Sequence, residues 1–267
     1  MRARYFRILL RFWKNSLLRE MSFRAHFLIN ATSEVGWVVL VLVFVKVIFL
    51  NTPQVQGWTE PQYVFLLGTH LLLTSLFETF FFTNCWRVSE LVRSGNLDFV
   101  LLRPASAQFL LSFERVSYSS LANLPVAIGL CAWAAWRQGT GIGAAQVILF
   151  ALLIVAGVAI LYAILFMFAV CSVWLIRQTG MDELWFYTVS AARYPAEIYR
   201  KFAGGTLWFA LVFVIPLLMV ANLPANVMMR TFEPWLVTYL VIAAAGLLVL
   251  SNVVFRLALR WYRSASS

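Results

Sequence analysis

Charged side chains are scarce in this chain. Only 12% of its 267 residues are Asp, Glu, Lys or Arg and 62% are apolar, where soluble domains hold about 25% and about 45–50%. A mean hydropathy of +0.83 excludes an ordinary water-soluble domain. It equally excludes a disordered chain, which needs low hydrophobicity and high charge. Lysine occurs only at Lys14, Lys46 and Lys201, never after glycine, so the Gly-Lys-Ser/Thr that cradles nucleotide phosphates is missing. His-Glu-x-x-His, Gly-x-Ser-x-Gly and Asp-rich metal loops are missing too. The two histidines, His26 and His70, stand far apart in sequence with no nearby carboxylate pattern. Cys85, Cys131 and Cys171 are odd in number and form no Cys-x-x-Cys pair. They point away from a disulfide scaffold or zinc site and towards small packing residues. The chain is expected to bind no metal or cofactor of its own and not to hydrolyse a nucleotide.

What the sequence has instead is long apolar runs. At about 20 residues per crossing, six candidates fall at roughly 27–50, 62–85, 116–136, 146–174, 206–226 and 236–257. The run LLIVAGVAILYAILFMFAVCSVWL (152–175) carries no charge. The fifth is the weakest, with Pro216 at its centre and Pro224 near its end. The runs are unbroken rather than alternating, which excludes transmembrane β-strands. The fold class is an all-α polytopic membrane domain over 25–267, preceded by a distinct segment at 1–24.

The basic residues orient these spans. The N-terminal stretch, the 86–115 and 177–205 connections and the C-terminus together hold 18 Lys and Arg. The opposite side holds Arg137 and Arg230, with Lys46 near the outer end of the first span. Cytoplasmic loops accumulate Lys and Arg, so both termini are expected in the cytoplasm. The net charge of +10 is thus a topological signal, and no loop is long enough to fold a nucleic-acid reader. At the start, Arg4, Arg7, Arg11 and Lys14 share one helical face, with Phe6, Leu9, Leu10, Trp13 and Leu17 on the other. That pattern makes an amphipathic helix lying along the inner membrane surface, either as an anchor or as a brace for the spans. Charges every three or four residues leave no unbroken apolar centre, so a cleavable signal peptide is not expected.

Four ionisable residues fall inside the spans: Glu34, Lys46, His70 and Glu78. Lys46 is close enough to the outer surface to snorkel. Glu34 and Glu78 lie at similar depths from the inner side, where pairing, lining a substrate path and proton coupling all stay open. With His70 they are the candidate path-lining residues.

The connection CWRVSELVRSGNLDFVLLRPASAQFLLSFERV (85–116) is too apolar for a solvated loop. Residues 86–94 read as a short helix stopped by Gly95-Asn96, followed by an apolar run ending at Arg103-Pro104. Such a helix needs a surface to cover it, either this protein's own spans or a partner.

Here the sequence resembles a known family. Gly95-Asn96-Leu97-Asp98 followed by Leu101-Leu102-Arg103-Pro104 is similar to the pattern after the second span of ABC-2 type transporter permeases, in a bacterial exporter branch. Three further stretches are similar as well: Ala192-Arg193-Tyr194-Pro195-Ala196-Glu197-Ile198-Tyr199, Val214-Ile215-Pro216 with Leu223-Pro224-Ala225, and the ending Arg260-Trp261-Tyr262-Arg263. The resemblance implies a six-span exporter permease of the bacterial inner membrane, paired with an identical or sister chain and surrounded by lipid. It implies separate ATPase subunits holding ATP and Mg. It also implies a coupling helix near 87–95 that docks on them, assigning that contact to Arg87, Glu90, Leu91, Val92, Arg93, Gly95, Asp98, Arg103 and Pro104. Finally, it implies a re-entrant, broken element on the outer side, marked by Pro216 and Pro224. Aligned this way, 181–199 lies partly in the membrane. Hydropathy prefers it as a cytoplasmic or interfacial helix, because Asp182, Glu183, Arg193, Glu197, Arg200 and Lys201 interrupt it. An ion-coupled transporter, with internal repeats and midplane carboxylates, and a membrane-embedded enzyme, with a clustered catalytic set, are the alternatives.

Overall fold

A computed structural model describes residues 2–22, 24–139, 141–175, 180–201 and 205–262. The described residues form helices and connections, with no strand beyond one isolated bridge between Val55 and Trp58. Helix α1 (Arg2–Met21) precedes α2 (Arg24–Asn51). Helix α3 (Glu60–Phe77) passes through one π-turn, Glu78–Phe82, straight into α4 (Thr83–Arg93). After α5 (Leu97–Leu101) and α6 (Ala107–Phe113) come α7 (Asn123–Gln138) and α8 (Ala144–Val170). Helices α9 (Met181–Ala192), α10 (Ala196–Lys201), α11 (Thr206–Phe209) and α12 (Met219–Met229) are short, and α13 (Pro234–Trp261) ends the fold.

Four described stretches are long and apolar enough to cross a membrane: Glu60–Arg93, Ser119–Gln138, Ala144–Val173 and Pro234–Trp261. Val35–Asn51 of α2 is a shorter apolar helix. Thr59 and Gln62 start α3 as a capping box, with the Gln62 side chain accepting from the Thr59 N–H at 3.1 Å. Lys46, expected to snorkel, instead pairs with Glu60 at 2.9 Å.

Tight crossings sit at two glycines. A methyl group on Gly68 of α3 would lie 2.7 Å from the Cys131 sulfur of α7. One on Gly157 of α8 would lie 2.8 Å from Leu73 and 3.2 Å from the Val220 carbonyl. That carbonyl is the one Pro224 cannot serve, because proline has no N–H to return to the residue four before it. Small residues therefore let three helices meet at backbone distance.

The expected fifth span, 206–226, is not one helix. Residues 205–214 form α11 and a second π-turn, Ala210–Val214, and the chain turns at Ile215–Pro216 before α12 begins. Val220 of α12 meets α8 about 20 Å from that helix's start. Met229 ends beside Gln62 and Gln138, at the end of the bundle that carries Trp58. The segment thus dips to mid-depth and returns to the Trp58 end. The chain instead runs the length of α3 in α9 and α10: Trp185 meets Glu78, Val189 meets His70 and Glu197 meets Trp58. Residues 181–201 therefore pack along α3. Hydropathy counts charges without seeing what neutralises them.

Substituting the crossing glycine tests this packing. Gly157→Ala is expected to destabilise the protein by about 1–3 kcal/mol through overpacking, seen as a lower thermal midpoint in detergent. Gly246→Ala, on α13 with nothing within 4 Å, is expected to leave that midpoint unchanged.

Candidate functional site

The break between α9 and α10 leaves carbonyl groups without helical partners. Side chains from other elements take them up. His70 Nε2 lies 2.9 Å from the Val189 carbonyl, and the Tyr199 hydroxyl donates to Ala191 at 3.1 Å. Asn222, buried in α12, donates to the Tyr194 carbonyl at 3.1 Å and to Leu218 at 2.8 Å, and accepts from the Ala196 N–H at 3.0 Å. At the Trp58 end, Glu197 accepts from the Trp58 indole at 3.2 Å and from Arg230 at 3.4 Å. The Arg230 guanidinium lies 4.8 Å over the Trp58 ring. His70 is thus first of all a helix cap.

Beside this column α2, α3, α7 and α9 enclose a cleft of about 720 Å³. His70, Glu78, Arg193 and Glu183 give it its polar groups, against Trp37, Leu67 and Phe186. The Arg193 guanidinium lies 6.0 Å over Trp37, and Glu78 accepts from the Trp185 indole at 3.2 Å. Two of the three expected path-lining residues, His70 and Glu78, therefore share one cleft. Glu34 lies in α2, and its side chain is outside the described residues. Trp37, Trp185 and Arg193 were missed, although an Arg spaced from aromatics inside an otherwise apolar stretch was the available signal.

The other candidate surface is at the Arg87 end. Residues 86–94 are not a separate short helix but the last turns of the helix that starts at Glu60, because a π-turn bends a helix without stopping it. The stop at Gly95 is real: its φ is +72°, a left-handed conformation suited to glycine. Of the nine residues assigned to ATPase contact, Arg87 is tied to Glu114 at 2.7 Å and Leu91 is buried. Val92 is half-buried against the core, and Asp98 starts α5. Glu90, Arg93, Arg103 and Pro104 are exposed, with Arg103 3.8 Å from Glu114. The three-residue spacing of α5 puts Leu97 and Val100 inside and Phe99 and Leu102 outside, 67% and 80% exposed. Those two aromatic and aliphatic tips, absent from the expected set, form the apolar edge.

Helix α1 braces this end. Ser16 accepts from the Val116 N–H at 3.1 Å, the Tyr118 hydroxyl donates to Trp13 at 3.0 Å, and Glu20 accepts from the Tyr118 N–H at 2.9 Å. Burial raises the Glu20 carboxyl above its ordinary range, and the Tyr118 N–H pulls it partly back. Ser117 in turn donates to the Thr79 carbonyl in the π-turn at 2.9 Å, and Asn84 holds Arg115 through both its backbone groups. Arg7, Arg11 and Lys14 are exposed, and the Arg4 side chain is outside the described residues. The cysteines are free, and among the described residues no three His, Cys, Asp or Glu side chains gather as a metal site.

An all-helical chain with several helices long and apolar enough to cross a membrane is a multi-pass membrane protein. Residues 35–266 match the family described as ABC-2 family transporter protein, and the chain belongs to that family. It is a membrane permease of an ABC transporter, a class of subunit that is not itself catalytic and associates with ABC ATPases. No curated protein and no solved structure matches it.

The placement of α9 is tested by cross-linking. In a background with Cys85, Cys131 and Cys171 replaced by Ala, Glu78→Cys with Trp185→Cys is expected to join efficiently through a short bifunctional thiol reagent in membranes. Glu78→Cys with Tyr187→Cys, two residues round the helix, is expected to join weakly. Efficient joining of the second pair alone would contradict the register.

Proposed function

We propose that this chain is the membrane-spanning subunit of an ATP-driven exporter in the bacterial cytoplasmic membrane, with six crossings and both termini in the cytoplasm. With 181–199 taken as a crossing that holds Arg193, the basic residues still favour that orientation, 15 against 4. The Arg87 end is then cytoplasmic. Two permeases, identical or sister chains, form the translocation path, and two ATPase subunits carry ATP and Mg. The path includes the cleft beside α3, where His70 and Glu78 supply the polar groups.

The observation that carries this reading is the apolar edge of α5. Phe99 and Leu102 project beside Arg93 and Arg103, on a rigid stop directly continuous with span two. A wedge of this kind, seated in a partner, turns closure of that partner into movement of α3. Leu97 and Val100, buried beneath it, fix the wedge to the bundle. The coupling contact therefore centres on 93–104 rather than on Leu91.

Replacing the edge tests the proposal. Phe99→Glu with Leu102→Glu is expected to abolish co-purification of the ATPase and to lower complex ATPase activity at least about tenfold, the effect of losing a central apolar anchor. The permease itself should keep its yield and thermal midpoint, since both side chains are exposed. An intact complex with both substitutions would remove the coupling assignment.

A further inference from the structure

On the other side of α3 from the cleft lies a second hollow of about 530 Å³, between α3, α6, α8 and α13. Four phenylalanines line it, Phe80 and Phe81 from the π-turn and Phe109 and Phe113 from α6. Val155 of α8 borders it and is 70% exposed, so the hollow is continuous with the apolar outer face of the bundle. Its floor is polar. Tyr162 and Ser112 hydroxyls lie 2.6 Å apart, Gln108 Nε2 donates to Tyr162 at 3.3 Å, and Asn252 Nδ2 donates to Gln108 Oε1 at 2.5 Å. Each amide nitrogen has two hydrogens and uses one of them in these bonds.

Beyond Leu248, the residue that α13 contributes to the hollow's lining, polarity rises along α13. Leu248, Asn252 and Arg256 recur every four residues on α13, so they share a face in that order towards the Arg87 end. Arg256 is exposed. At the same end Tyr5 of α1 closes the hollow, its ring 4.9 Å edge-on to Phe109 and its hydroxyl accepting from the Ser106 N–H at 3.3 Å. The sequence of surfaces is aliphatic, aromatic, amide and hydroxyl, then guanidinium. That is the order of an acyl chain, an ester and a phosphate. Arg256 is an exposed cation, and a phosphate pairs with a guanidinium through charge-assisted hydrogen bonds.

We propose that this hollow binds a single anionic phospholipid from the leaflet at the Arg87 end. Its acyl chain lies along Val155 and Phe109. Its ester carbonyls accept from the spare amide hydrogens of Gln108 and Asn252, and its phosphate pairs with Arg256. The site stands apart from the transport reading, since α3 separates the hollow from the cleft.

The test uses the full-length chain in detergent containing equal amounts of phosphatidylglycerol and phosphatidylethanolamine with matched acyl chains, read by native mass spectrometry. The wild type is expected to retain one phosphatidylglycerol in preference to phosphatidylethanolamine. Arg256→Gln is expected to reduce that preference about fivefold, the effect of one cation at a membrane surface. Ala159→Phe, which fills the hollow from α8, is expected to remove the retained lipid of either kind. If Ala159→Phe fails to fold, Arg256→Gln at an exposed position still decides. Equal retention of the two lipids by the wild type, or the same preference in wild type and Arg256→Gln, would overturn the site. So would protection of a cysteine at 256 from an aqueous thiol reagent by a second copy of the chain.

Discussion

The architecture depends on one constraint: a helix broken at membrane depth must have its freed backbone groups satisfied by protein. Asn222 meets it most fully, because one amide closes three main-chain groups across two broken elements. His70 and Tyr199 close two more carbonyls of the same break. At the far end of α12, Gln62 and Gln138 reach Met229, and Gln146 reaches Val227. All but one of these bonds serve a main-chain oxygen, the exception being the Ala196 N–H held by Asn222.

Satisfying the break in this way positions the functional surfaces. Because α9 is pinned to α3 through His70 and Trp185, the two helices wall a cleft whose polar groups come from both. Because α3 continues through a π-turn into α4, the same helix that lines the cleft also ends at the exposed edge of α5. The π-turn is itself held by Ser117 and, through 116–118, by the amphipathic α1. An unbroken covalent and hydrogen-bonded line therefore joins the edge, the membrane-surface helix and the cleft.

Much of this was legible in the sequence where the physics is local. The apolar runs at 62–85, 146–174 and 236–257 map onto long helices because length and hydropathy decide them alone. Gly95 announced its turn because only glycine takes that φ readily. The packing of 181–201 along α3 was not legible because its charged side chains meet partners far along the chain: Arg193 lies over Trp37, and Glu197 meets Trp58 and Arg230. No window of sequence contains those partners. The π-turn at Glu78–Phe82 was invisible for a different reason, since no glycine or proline marks it and its partner, the Ser117 N–H, lies far along the chain. At the edge, the apolar content was evident but the inside and outside faces were not. Leu91 was assigned to the ATPase contact because residues 86–94 were read as a helix separate from the span that buries it.

In the proposed exporter, the cleft beside α3 opens and closes under the control of a nucleotide held by another subunit. Spin labels at Ser33 and Tyr187, both lining the cleft, measure this directly by pulsed dipolar spectroscopy on the complex with its ATPase, in a cysteine-free background. The account predicts that trapping ATP shifts the distance by more than about 2 Å relative to ADP, the scale of helix shifts in switching proteins. It further predicts that the permease alone shows no such shift. An unchanged distance in an ATP-hydrolysing complex would contradict it.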